Sequence, residues 1–210
     1  MTNFSVNPKT TALINVDIQN CFVQDSPVAA PGGAAIIPRI NKLADAVRRT
    51  GGLVIHTAHV VRPDGSTTGV MGEFNAAIKA GLLHKGRPSA ELHPDLAIAE
   101  TDLVVDKPRY GAFYGTDVEL ILRNRGIETV IVTGITTNVC CETTAREANM
   151  RDFQVFFISD GTATFDLPDV SAEQIQKAVC ATLAMAFAQV ETVDSMIAKL
   201  DSGVATTKAA

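Results

Sequence analysis

Cys140 stands early in a stretch that changes character twice within about twenty residues. Thr129 to Thr133 is a short β-branched apolar run, Gly134 punctuates it, and beyond Thr136 and Thr137 the residues suit a helix as far as Met150. Strand, tight turn and helix put Cys140 in the first helical turn, where free backbone N–H groups and the positive end of the helix dipole stabilise a thiolate. Asp17 closes another apolar run, Thr11 to Val16, and Lys107 directly follows a third, Asp102 to Asp106. A sulfur that attacks, a carboxylate that accepts its proton and an ammonium that steadies the charge are the parts of a nucleophilic hydrolase.

The elements that must bring these three together are legible in order. Thr11 to Val16 is expected as a strand covered on both faces. Ala34 to Thr50 carries apolar residues at 36, 37, 40, 43, 44 and 47, a helical stripe stopped by Gly51. Leu53 to Ala58 is a second strand. Residues 61–94 then form a long Gly-, Pro-, Ser- and His-rich excursion, with a short helix near Glu73 to Ala80, of the length that often serves as a lid or pocket wall. Asp102 to Asp106 is a third strand, and Thr116 to Glu119 reads as a capping box opening a helix to Arg125. After the Cys140 stretch come a fifth strand (Gln154 to Ser159), a long helix capped by Ser171 and Gln174 that runs to about Phe187, and a sixth strand (Val190 to Val193). The small, polar stretch 201–210 is expected to fray.

Alternating strands and helices predict an α/β fold: one mainly parallel six-stranded sheet with helices on both faces, in a single domain over 1–200. Ligands in such sheets bind beyond the carboxyl ends of the strands, where strand order reverses. Asp17, Lys107 and Cys140 all fall at carboxyl ends, of the first, third and fourth strands. If the first and fourth strands flank the reversal, the three meet at one crevice.

The 210 residues, 46% apolar and 20% charged, suffice for one substantial core. A net charge of −5 without any Lys/Arg run excludes a phosphate-backbone partner and favours a small molecule. No stretch of about eighteen apolar residues is present, and the first residues lack a signal-peptide pattern, so neither membrane nor export is expected. Four cysteines (21, 140, 141 and 180) without Cys-x-x-Cys spacing fit reduced thiols in a cytoplasm.

Asp17-Ile-Gln-Asn-Cys-Phe22, Lys107-Pro-Arg-Tyr-Gly-Ala-Phe-Tyr-Gly-Thr116 and Gly134-Ile-Thr-Thr-Asn-Val-Cys140 resemble the three signature segments of the isochorismatase-like cysteine hydrolases, in order and spacing over Thr11 to Val193. That family includes nicotinamidases, N-carbamoylsarcosine amidohydrolases and ureidoacrylate amidohydrolases. The resemblance implies a three-layer, Rossmann-like α/β/α domain and a triad of Asp17, Lys107 and Cys140. It also implies a cis Ile135–Thr136 peptide and an oxyanion hole made by the backbone N–H groups of Thr136 and Cys140. Phe22, Tyr110 and Phe113 follow the triad residues in their segments and are expected, with His59, to line the substrate pocket. The wording of the Lys107 and Thr136 segments resembles the N-carbamoyl and ureidoacrylate members most. Relatives of this kind commonly form homodimers or homotetramers. Two positions depart from the family pattern: Cys21 stands where an aspartate is common, and Gly111 where a serine is common.

Together these readings predict amide hydrolysis of a small carboxamide or ureido compound through a thioester, with release of ammonia and no cofactor. The alternatives are vinyl-ether hydrolysis of the isochorismatase type, which needs only Asp17 and Lys107, and a catalytically silent binding subunit. His56 and His59 invite a metal reading, but residues three apart on a strand point to opposite faces and the Asp-x-His metal motif of nicotinamidases is absent, so no metal is expected. Cys141 rivals Cys140, yet successive helical residues point about 100° apart and only one can face the crevice. No Gly-x-Ser-x-Gly elbow, phosphate loop or dinucleotide fingerprint is present.

Overall fold

The computed structural model describes residues 3–209. A 3-10 turn at Pro8–Thr10 leads into β1 (Thr11–Val16), α1 (Asn20–Val23), α2 (Gly33–Arg49) and β2 (Leu53–His59). The excursion follows, with α3 (Met71–Phe74), α4 (Ala76–Lys79) and a 3-10 turn at Pro88–Ala90. The second half runs β3 (Leu103–Lys107), α5 (Val118–Asn124), β4 (Thr129–Ile135), a π-type turn (Thr137–Cys141) into α6 (Glu142–Asn149), β5 (Gln154–Ala163), α7 (Ala172–Ala186), β6 (Gln189–Glu191) and α8 (Val193–Ala209).

The six strands form one parallel sheet in the order β3-β2-β1-β4-β5-β6. The chain builds outward from β1 through β2 to β3, then returns to lay β4 against the other side of β1, so the order reverses between β1 and β4. Every residue of β1, β2 and β4 is buried, as runs of Val, Ile and Leu require when both faces are covered. Side chains alternate between two cores. Ala12, Ile14, Val130 and Val132 pack under α5, α6 and α7 with Leu122, Ala145 and Val179. Leu13, Val54, Ile131 and Phe156 pack under α2 and α8 with Leu43, Val47, Met196 and Leu200. A third apolar cluster caps the carboxyl edge, where Ile18, Phe22, Ile36, Ile37 and Ile135 meet Met71, Ile78 and Leu83 of the excursion.

Two expectations are corrected. Residues 201–209 do not fray but extend α8, whose Asp201 pairs with Arg49 of α2 at 2.9 Å; small polar residues hide that continuation from a composition reading. Thr116 and Glu119 do not form a capping box. Asp117 is the N-cap residue, Thr116 Oγ1 accepts from the Val118 N–H at 3.3 Å, and Glu119 turns to Arg151 at 2.8 Å. The box at Ser171 and Gln174 is formed, each side chain bonding the other's backbone N–H.

Candidate active site

At the end of β1 the backbone enters a left-handed conformation at Asp17 (φ 50°), which takes the residue off the strand path. The carboxylate is fully buried; Thr57 of β2 donates to Oδ1 at 2.8 Å, and Lys107 Nζ lies 2.7 Å from Oδ2. Lys107 closes β3 and is itself fully buried, donating from Nζ to the carbonyls of Arg109 and Tyr110, each at 2.8 Å. Its other contact is therefore the Asp17 carboxylate. Burial alone would strip Lys107 of its proton, but Asp17, with the Cys140 sulfur, reverses this and holds the ammonium above its usual range. Burial raises Asp17 above the ordinary 3.8 against the pull of Lys107.

Cys140 reaches the same point from β4. Gly134 adopts φ 125° where β4 runs against β1, and a Cβ there would collide with the Val16 carbonyl. The Ile135–Thr136 peptide is cis, and the π-type turn then presents Cys140, 4% exposed, to Asp17. Its sulfur lies within 4.8 Å of a carboxylate oxygen of Asp17 and of a His59 ring nitrogen. Cys141 turns away, donating to the Thr133 carbonyl at 3.7 Å with no exposure. One expectation fails on energetics: the thiolate is not favoured at rest. Burial pushes the Cys140 thiol up to about 12, outweighing Lys107.

The remaining expected residues divide. His59 closes β2, is buried, and has its ring edge-on to Tyr110 with centroids 5.8 Å apart. Tyr110 touches both the core under α5 to α7 and the cluster at the carboxyl edge, and Phe22 lies within that cluster. Phe113 packs against Phe153 (centroids 6.1 Å apart) and under the Arg151 guanidinium at 5.0 Å, in the same apolar cluster as Cys140. His56 takes no part in the site, sitting between Asp102 (3.0 Å) and Asn15 (3.3 Å).

Several contributors were not legible in the sequence. Thr57 orients Asp17 from the neighbouring strand; a hydroxyl beside the strand end is the signal that was available. Gln19 accepts from the His59 N–H at 2.7 Å and donates to the His59 and Ala90 carbonyls at 3.1 and 2.6 Å, tying the excursion to β2. Arg109 donates to the Thr67 carbonyl at 2.9 Å, fastening its other limb. At Gly111 a Cβ would meet the end of the Glu147 side chain, which would have to turn aside for any larger residue. Glu147 accepts the Phe113 N–H at 3.2 Å and Thr144 accepts the Ala112 N–H at 3.1 Å, so α6 holds the segment beyond Lys107.

A ring nitrogen of His59, a carboxylate oxygen of Asp17 and the Cys140 sulfur lie within 4.8 Å of one another. These are donors of the type that bind zinc. The ammonium of Lys107, 2.7 Å from the same carboxylate, already supplies the positive charge that a metal would bring. What the arrangement can do without any further group is move a proton from sulfur to carboxylate beside a fixed cation.

The chain is similar to known proteins along most of its length. The model of the isochorismatase domain matches residues 11–195. A cysteine hydrolase from Pseudomonas syringae pv. phaseolicola superimposes with a TM-score of 0.90 at 36% identity, covering 96% of this chain and 97% of that one. Nicotinamidase 3 of Arabidopsis thaliana is 33% identical, over 90% of this chain and 88% of its own. N-carbamoylsarcosine amidase of an Arthrobacter species is 29% identical, over 91% and 71% respectively.

Proposed function

Because the chain belongs to the isochorismatase family of cysteine hydrolases, we propose that it is a cysteine-dependent amidohydrolase cleaving a small carboxamide or N-carbamoyl compound, with Asp17, Lys107 and Cys140 as its triad. The observation that carries this reading is the juxtaposition of the Cys140 sulfur, within 4.8 Å of an Asp17 carboxylate oxygen, with an ammonium 2.7 Å from the same carboxylate. Relatives named for amide hydrolysis support it.

The resting sulfur carries its proton, so attack and deprotonation belong to one step. Asp17 takes the thiol proton as Sγ bonds to the substrate carbonyl carbon. The carbonyl oxygen becomes an oxyanion, for which the backbone N–H groups of Thr136 and Cys140 are the proposed donors; losing one such donor costs other enzymes roughly 3–4 kcal/mol. Asp17 then gives the proton to the departing nitrogen, ammonia leaves, and a thioester remains. A water, deprotonated by Asp17, cleaves it and restores the thiol. Lys107 keeps the carboxylate ionised between these transfers and fixes its direction through the Arg109 and Tyr110 carbonyls.

Ammonia release from a panel of nicotinamide, N-carbamoylsarcosine and short ureido acids tests the reading. The expected outcome is turnover of at least one member that falls at least about a thousandfold in Cys140→Ser, the scale of nucleophile loss in other hydrolases. Full activity in that variant refutes it. Vinyl-ether cleavage that persists without the sulfur would place the chain with the ether hydrolases instead.

The same reading has the enzyme working as a homodimer or homotetramer. Its support is the apolar surface left open on one chain: Phe74 is 85% exposed, Met185 79% and Leu120 71%. Light scattering at micromolar concentration is expected to return two or four chains; a monomer would end this part of the proposal.

A further inference from the structure

The chemistry above leaves one buried polar atom of the site without a task. His59 is 1% exposed, and one of its ring nitrogens lies toward the Pro108 backbone. The other, Nε2, is enclosed and has no hydrogen-bond partner among the described residues. Buried polar atoms in folded proteins are nearly always paired, so an orphan beside reactive groups marks a place kept for something that arrives. The ring lies within 4.8 Å of both the Asp17 carboxylate and the Cys140 sulfur, where a scissile group must sit. Tyr110 packs edge-on against the ring, so Nε2 is held in place. Burial and the neighbouring Lys107 ammonium keep the imidazole from taking a second proton. What remains is an acceptor with no donor.

We propose that His59 Nε2 accepts a hydrogen bond from an N–H of the substrate's departing nitrogen, so that the site selects primary carboxamides and terminal ureido groups over esters and N,N-dialkyl amides that lack that donor. The proposal rests on the amidohydrolase reading and sharpens it. Asp17 is engaged otherwise, accepting from Thr57 through Oδ1 and pairing with the Lys107 ammonium at 2.7 Å through Oδ2. His59 supplies the matching acceptor, and a substrate without an N–H leaves it orphaned, which is how a site rejects an analogue of similar size.

Iodoacetamide and N,N-dimethyliodoacetamide make the test independent of the natural substrate. The two differ in whether the amide nitrogen carries two hydrogens or two methyl groups, alkylation of Cys140 is read by peptide mass spectrometry, glutathione gives the intrinsic ratio of the reagents, and the His59 variants separate the lost donor from the added bulk. The expected result is a wild-type preference for iodoacetamide about tenfold above glutathione's, the scale of one hydrogen bond. His59→Leu should bring that preference down to glutathione's, and His59→Gln, whose carbonyl can accept, should keep part of it. If the leucine variant fails to fold, His59→Met takes its place. A wild-type preference no greater than glutathione's, no labelling of Cys140 by iodoacetamide, or a preference unchanged in the leucine or methionine variant would overturn the proposal. Loss of the amidohydrolase reading shows elsewhere, as ammonia release indifferent to Cys140→Ser, so the two failures are distinguishable.

Discussion

Burial lifts the Cys140 thiol to about 12, so at neutral pH the sulfur keeps its proton until a base placed beside it takes it. The helix-terminus argument for a ready thiolate is sound for an exposed cysteine and fails here, because desolvation of a fully buried sulfur outweighs both a nearby ammonium and the Thr136 N–H. In the proposed mechanism Asp17 is then the group whose ionisation gates the reaction, and burial sets its pKa above 3.8. The sign follows directly: below that raised value Asp17 is protonated and cannot act as base, above it the carboxylate is competent. The rate constant kcat/KM is therefore expected to climb with pH through one acidic limb lying above 3.8 and then stay level to pH 9. A second rise near the ordinary thiol value of about 8.5 would mean that a free thiolate attacks, and would defeat this account. That Asp17, Lys107 and Cys140 would meet was legible in residue types and positions, because carboxyl ends of parallel strands share one edge; their protonation was not, because burial is absent from a sequence. Gly111 shows the same limit, since only the fold reveals that Glu147, distant in the chain, occupies the space its side chain would need.

Among the elements, β2 and β3 are held to α2 by a buried cluster away from the triad. Asp102, just before β3, accepts Arg48 Nη2 at 2.6 Å, Nε at 2.9 Å through its other oxygen, the Ala99 N–H at 2.9 Å, and pairs with His56 at 3.0 Å. Burial works against its charge, but these donors prevail and pull it from 3.8 to about 2. A carboxylate depressed in the folded state stabilises it fully above the unfolded value, and loses that contribution as pH falls from about 4 towards 2. The midpoint of thermal unfolding in Asp102→Asn should thus lie several degrees below wild type at pH 7, with the gap closing as both are titrated to pH 2 to 3. A gap of the same size at pH 2.5 would show that shape, not charge, holds the cluster. Strands were the elements most legible in advance, since continuous β-branched runs have few other ways to be buried. Helix starts were less so: Ser171 and Gln174 form the box their spacing suggests, whereas Thr116 and Glu119, equally spaced, are drawn off by Ala112 and Arg151. Nothing in the local pattern of Thr137 to Cys141 announces a π-type turn.

For the molecule as a whole, the reversal of strand order between β1 and β4 explains why Asp17 and Cys140 meet, and it could be framed from alternation alone. The cover over them could not. Residues 61–94 carry little periodicity, and their path is fixed by long-range bonds from side chains the sequence does not single out: Arg109 to Thr67, Asn20 to the Pro88 carbonyl at 2.8 Å, and Gln19 to His59 and Ala90. Asp17 and Lys107 have no exposure at all, and Cys140 only 4%, so the test of the excursion as a cover is whether loosening it admits a reagent. Gln19 is the bond most able to govern this, since it joins the end of β2 to the limb that returns from the excursion. Replacing it with alanine strands the His59 N–H and the Ala90 carbonyl in a buried place, at about 1–3 kcal/mol for each group left unpaired. That cost is local and falls on the cover. Gln19→Ala is therefore expected to lose hydrogen-exchange protection at His59 and across 82–93 while β5 and α2 keep theirs, and to be alkylated at Cys140 several-fold faster than wild type. Uniform loss of protection over the whole sheet would mean that Gln19 supports the fold rather than its cover, and slower alkylation would mean that the excursion guides the reagent in instead of keeping it out.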